Sequence, residues 1–165
     1  SELSANNYNL YHSNSVTASG TLTAGVETTV APQGSSNLYE GDSLRIIADT
    51  KIVGNSHADS NGACSAPFVP VAMMKKRFAI NVDADYVAFA SIEPGDITVT
   101  APGGGTTTLT LVKTGAEPNA PYKARLSTTT AGHRFESSVK FQAWYQPNSD
   151  TNGADEDETV LFGAD

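Results

Sequence analysis

The residues of this chain best suited to chemistry lie in the run NSDTNGADEDE, positions 148–158, where Asp150, Asp155, Glu156, Asp157 and Glu158 gather among Asn, Ser and Gly. Calcium takes roughly six to eight oxygen ligands, often from Asp or Asn at alternate positions with Gly at a sharp turn. Asn148, Asp150, Asn152 and Gly153 keep the first half of that spacing. The second half departs from it, because Thr159 stands at the twelfth position, where a bidentate Glu belongs, and Glu158 falls one place early. No helical pattern flanks the run, so a helix-loop-helix site is not expected. A looser loop between strands would take its calcium ligands from Asp150, Asn152, Asp155 and Asp157. The commoner use of such a run is a long polar hairpin whose charge keeps an edge or a subunit surface soluble. That is the expectation here, and apart from calcium no cofactor is expected.

Three weaker sets come next. In NVDADYVAF, Asp83 and Asp85 fall on one side of an extended chain, about 7 Å apart by strand rise, a spacing open to cation binding or acid–base work; two aspartates bracketing a turn are commoner. In NSHADSNGAC, His57, Asp59 and Cys64 are zinc ligands by type, yet a site needs about four. A Cys64–His57 nucleophile pair oriented by Asp59 is available by type, but no oxyanion element or nucleophile signature surrounds it. A polar loop at a subunit contact is the expectation for His57. The glycines of APGGGTTTLT have no Lys after them and lead into a strand, so they read as a hairpin turn and not as a phosphate loop. His12 and His133 stand alone in polar surroundings and carry no assigned role.

The elements that would position these groups are strands. With 165 residues the chain suits one domain. Hydrophobic residues at 39 % are too many for a disordered chain, and charged residues at 17 % are too few for long surface helices. Short alternating runs broken by Gly, Pro and Asn recur from Val16: SVTASGTLTAG, VETTV, LRIIADTKIV, RFAINV, DYVAFASI, DITVTA, TTTLTLVK, PYKARLSTTT, RFESSVKFQAWYQ and TVLF. Leu44, Ile46, Ala48 and Ile52 share one face of the third run. In the strongest run Phe135, Val139, Phe141, Ala143 and Tyr145 share a face, with Glu136, Lys140, Gln142 and Trp144 opposite. FVPVAMMKKRF has room for a turn of helix that Pro70 interrupts. Such spacing predicts an all-β single domain, an antiparallel β-sandwich of jelly-roll or immunoglobulin-like type with roughly eight to ten strands over residues 15–165.

Residues 1–14, polar but carrying Leu3, Tyr8, Leu10 and Tyr11, read as an extended N-terminal arm and not as a signal peptide. The net charge of −8 repels phosphate backbones, and Lys75, Lys76 and Arg77 read as a solvated edge. No direct sequence-specific binding of nucleic acid is expected. Neither is a membrane span, since no run approaches ~18 apolar residues. Cys64 is the only cysteine, which excludes an intrachain disulfide. Trp144, outward on its strand, is expected to be covered within the chain, to anchor a subunit contact, or to stack on a sugar beside Tyr145 or Tyr122.

In composition the whole chain resembles small β-sandwich subunits of virions and extracellular filaments. The likeness implies a structural protein, not an enzyme, whose partners are copies of itself and other shell proteins. A viral capsid or its outer decoration is the expected setting, with the virion as its location and Tyr8, Leu10, Tyr11, His57 and Trp144 at subunit contacts. The alternatives are a filament subunit, extracellular or on the cell surface, that assembles by strand donation, and a carbohydrate-binding sandwich module.

Overall fold

The computed structural model describes residues 6–12, 15–30, 43–57, 65–147 and 159–165. The domain is all-β and its strand pairs are antiparallel. The described residues hold thirteen strands, more than expected, because segments without clear alternation also pair. One 3-10 turn, Val71–Met73, lies just beyond Pro70.

Three strands form a small sheet: β1 (Asn6–His12), β2 (Ser15–Leu22) and β3 (Arg45–Ala48), in the order β2-β1-β3. Residues 6–12 of the expected arm are therefore its central strand. Tyr8 stands between two small partners, Gly20 on β2 and Ala48 on β3. A Cβ at Gly20 would lie 3.1 Å from the Tyr8 ring, so the missing side chain is what lets the ring lie across the pair. The segment around NSHADSNGAC, read as a polar loop, contributes a hairpin, β4 (Asn55–His57) with β5 (Ser65–Pro67).

The main sheet takes the remaining strands: β6 (Lys75–Ala79), β7 (Ala84–Ser91), β8 (Asp96–Thr100), β9 (Thr106–Thr110), β10 (Val112–Lys113), β11 (Tyr122–Thr129), β12 (Arg134–Pro147) and β13 (Thr159–Val160). Its order is β10-β11-β7-β12-β8-β9, with β6 and β13 also on β12. The first half of β12 is flanked by β6 and β8, and the second half by β7 and β13. Its register against β6 shifts between Glu136 and Phe141. Beside that shift the chain turns from β7 into β8. Ser91 Oγ donates to the Lys140 carbonyl at 2.8 Å, and Gly95 packs directly on Val139. A second crossing runs from β9 to β10 through Leu111, whose N–H donates to the Gly95 carbonyl at 2.9 Å. Strands that pass from one half to the other make the corners of a sandwich, and β9 comes alongside β11. The result is a nearly closed, barrel-like sandwich.

The alternating runs supply the core between the halves. Phe78, Ile80, Val87, Phe89, Ile97, Val99, Leu111, Phe135, Phe141 and Ala143 are buried in one cluster, with Val139, Tyr145, Leu126 and Tyr122 packed against it. Phe89 meets Phe135 and Phe141 edge-on, with ring centroids 5.0 and 5.9 Å apart. Edge-to-face rings gain about 0.5–1.5 kcal/mol beyond their area. The face of β12 read from the sequence as inward is thus the core face. The opposite face differs from its reading: Gln142 and Gln146 are buried, as are Tyr86, Ala88 and Ala90 of β7. Arg125 lies 4.5 Å from the centre of the Tyr86 ring on that side.

Turn chemistry accounts for the connections. In the glycine run, Gly104 adopts φ +86° and donates its N–H to the Ala101 carbonyl at 2.8 Å. It closes the β8–β9 hairpin, as the sequence implied, and leaves no phosphate cradle before a helix.

Candidate functional site

The feature with the most specific chemistry is the strap formed by residues 159–165, which runs along the second half of β12 and on to β6. It begins as β13, where Val160 is the register partner of Trp144 and Thr159 that of Tyr145. Leu161 then turns into the core at 9 % exposure, and its N–H donates to the Ala143 carbonyl at 2.9 Å. Gln142, buried beside it, donates from Nε2 to the carbonyls of Leu161 and of Ala143, at 2.9 and 3.0 Å. A glutamine there is favoured because a buried amide must find acceptors, and the strap supplies one of them.

Beyond Gly163, Ala164 and Arg77 exchange both backbone hydrogen bonds, at 2.8 and 3.0 Å. Asp165 ends the described strap between two cations. Lys75 Nζ donates to its carboxylate at 2.7 Å, and the Arg77 guanidinium donates to its carbonyl oxygen. The Lys75 hydrogen bond holds the Asp165 carboxyl below the usual carboxylate range, with smaller help from the charges of Lys75, Lys140 and Lys76. The basic cluster read as a solvated edge is therefore partly a clamp.

Next to this clamp an open groove of about 710 Å³ runs over β6, β12 and β8, lined among others by Lys76, Arg77, Asp96, Glu136, Ser138 and Asp165. Its charges are mixed. Among the described residues no group of three His, Cys, Asp or Glu side chains is placed to hold a metal ion.

The residues singled out from the sequence fall in separate places. Asp83 Oδ1 accepts the Ala131 N–H at 2.8 Å, tying the start of β7 to the turn between β11 and β12. Asp85 is half-buried within β7. His133 Nδ1 donates to the Thr130 carbonyl at 2.7 Å in the same turn. His12 and His57 lie on β1 and β4. Asp59, Cys64 and the calcium candidates Asp150, Asn152, Asp155 and Asp157 lie outside the described residues.

Leu10 and Tyr11, expected at a subunit contact, are buried within the chain at 2 % and 7 % exposure. Asn119 Nδ2 donates to the Tyr11 hydroxyl at 3.4 Å, and Arg45 to the Asn119 carbonyl at 3.2 Å. Those contacts tie the small sheet to the 114–121 loop. Tyr8 is half-buried over Gly20. Trp144 is half-buried between Val160 and Ala88. Tyr122 and Tyr145 pack on the core, so they share no platform with Trp144, which points to the other face of its strand.

Sequence reasoning missed the strap. Only TVLF was readable there, as a short apolar run, and nothing in the sequence paired Gly163, Ala164 and Asp165 with residues on β6. No family model matches the chain, and neither does any curated protein or solved structure.

Among the described residues no helix is long and apolar enough to cross a membrane.

Proposed function

We propose that this chain is a structural subunit that assembles with copies of itself, as part of a viral capsid or its outer decoration. The observation that carries the reading is a set of exposed apolar side chains around one edge of the fold. Val53, Phe68, Val71 and Met73 expose 104 %, 37 %, 42 % and 56 % of their surface. Phe68 donates its N–H to the Gly54 carbonyl at 2.9 Å, which puts it next to Val53. The strap, whose Phe162 is 89 % exposed, starts beside β5. Apolar side chains grouped at a surface mark contact sites between proteins.

A second feature supports the same reading. On β8 and β9 the outward partners are Thr98 with Thr108, Thr100 with Thr106, and Asp96 with Thr110. Five threonines and one aspartate at these positions leave little charge to repel an identical copy.

Particle size decides it, measured by light scattering and negative-stain microscopy with calcium and again with chelator. Shells, rods or fixed rings are the expected outcome, and a monomer at all concentrations would overturn the reading. Disassembly by chelator would assign calcium to the acidic run that holds Asp150, Asn152, Asp155 and Asp157.

A further inference from the structure

We propose that the 159–165 strap is an exchangeable strand: in the assembled protein, each copy's strap occupies the β12–β6 groove of a neighbouring copy. The inference rests on the assembly reading above and names the contact that would build it.

Four observations carry the strap as the donated element. First, its seat is specific. Leu161 fills a place in the core, Gln142 reads its backbone, and Asp165 is received by Lys75 and Arg77. A neighbour's strap would find the same partners, because every copy has the same groove.

Second, its hold is short. β13 has two paired residues, and beyond it the described strap is held by hydrogen bonds at Leu161, one Ala164–Arg77 bridge and the exposed contacts of Asp165 with Lys75 and Arg77. Few bonds must break for the strap to leave, and the same few form again in the next copy. The contacts made within and between copies are identical, so concentration alone can tip the balance.

Third, the strap is tethered by residues 148–158, eleven positions in sequence. Such a length reaches at most ~40 Å when extended, about the width of a small domain and sufficient to seat the strap on a neighbour.

Fourth, the alternative donor is already engaged. β1 is hydrogen-bonded on both sides within its own chain, to β2 and to β3. Donating it would dismantle a sheet, whereas donating the strap opens one groove. Passing the strap from each copy to the next is a heterologous contact, which closes into a ring or extends as a filament. Phe162, 89 % exposed on the strap, would travel to the joint with it and add apolar contact there.

The test uses the full chain with Cys64→Ser, to remove its native thiol, and two pairs of introduced cysteines. Trp144→Cys with Val160→Cys joins register partners ~4.5 Å apart at Cα, and Arg77→Cys with Ala164→Cys joins a bridge of ~5.5 Å. The two pairs are made separately, so that a folding failure in one leaves the other. Each protein is assembled reduced, sized, oxidised, and run on a denaturing gel without reductant.

A ladder of covalent multimers, with loss of the monomer band, is expected if straps are exchanged. A single monomer band that migrates faster than its reduced form shows each strap in its own groove and overturns the exchange. If that band comes from particles of many copies, the exchange fails while the assembly reading stands. If it comes from a monomer in solution, both fail.

Discussion

Gly163 and Arg77 approach so closely that a Cβ on the glycine would stand 2.7 Å from the arginine's carbonyl oxygen. Lys75 Cβ and the Phe78 ring lie at the same 2.7 Å. Backbone cannot retreat as the end of a side chain can, so the groove accepts no side chain at this point. Gly163→Ala is expected to lift the strap at a cost of about 1–3 kcal/mol. Thermal unfolding would measure it, and an unchanged melting temperature together with protected Leu161 and Ala164 amides would refute the close fit.

The clamp at Asp165 has a defined pH dependence. Its carboxyl is held below the ordinary value by the Lys75 hydrogen bond, so the folded chain keeps the carboxylate at a pH where the unfolded chain takes up a proton. The stability this adds is full above about pH 4. It is lost as pH falls through the lowered folded value. An NMR titration should show the Ala164 amide moving together with the Asp165 carboxyl below that pH. With Lys75→Met the carboxyl should titrate at a higher pH, and identical midpoints in the two proteins would count against the clamp.

Thr128 has φ +55° inside β11, a backbone region that a β-branched residue enters only under strain. Glycine enters it freely, although it brings more conformational freedom to the unfolded chain. Thr128→Gly is expected to stabilise the domain by about 1 kcal/mol. Denaturant titration would read it as a higher midpoint with the same slope, and a lower midpoint would show that the threonine side chain contributes more than its backbone costs.

Phe89 touches both Phe135 and Phe141 and is fully buried. Phe89→Ala is expected to cost about 3–5 kcal/mol. Arg125→Ala, on the far side of the same sheet, removes an exposed cation over Tyr86 and should cost less than about 1 kcal/mol. Equal losses in chemical denaturation would mean that the core has been placed on the wrong face of β7.

Most of the sandwich could be read from side-chain alternation. Phe135, Phe141 and Ala143 are buried on the face the pattern assigned to them, because a strand with one dry face must repeat every second residue. The pattern fails where both faces are covered. In β7 the sequence DYVAFAS is apolar at both parities, Tyr86, Ala88 and Ala90 on one side and Val87 and Phe89 on the other. That run is itself the signal of a strand buried twice over, and it bears on Trp144, whose neighbour across the sheet is Ala88. β1 was harder to see, because NNYNLYH half-buries Tyr8 over Gly20 and buries Leu10 and Tyr11 among residues whose sequence looks like that of a loop. The clamp could not be seen at all. Lys75 and Asp165 are ninety positions apart, and nothing in either neighbourhood announces the other.

The long strand β12 has a consequence for how the domain comes apart. Arg134 to Glu136 lie between β6 and β8 in one half of the sandwich, and Trp144 and Tyr145 between β7 and β13 in the other. β7 and β8 are also paired on both sides, but β12 is the strand that both halves share, so neither half can melt without loosening the other. The two layers should therefore open as one cooperative unit, with the amides of β12 among the last to exchange with solvent. Fraying would be confined to the small sheet and the strap, leaving a barrel that lends out its edges while its middle stays shut.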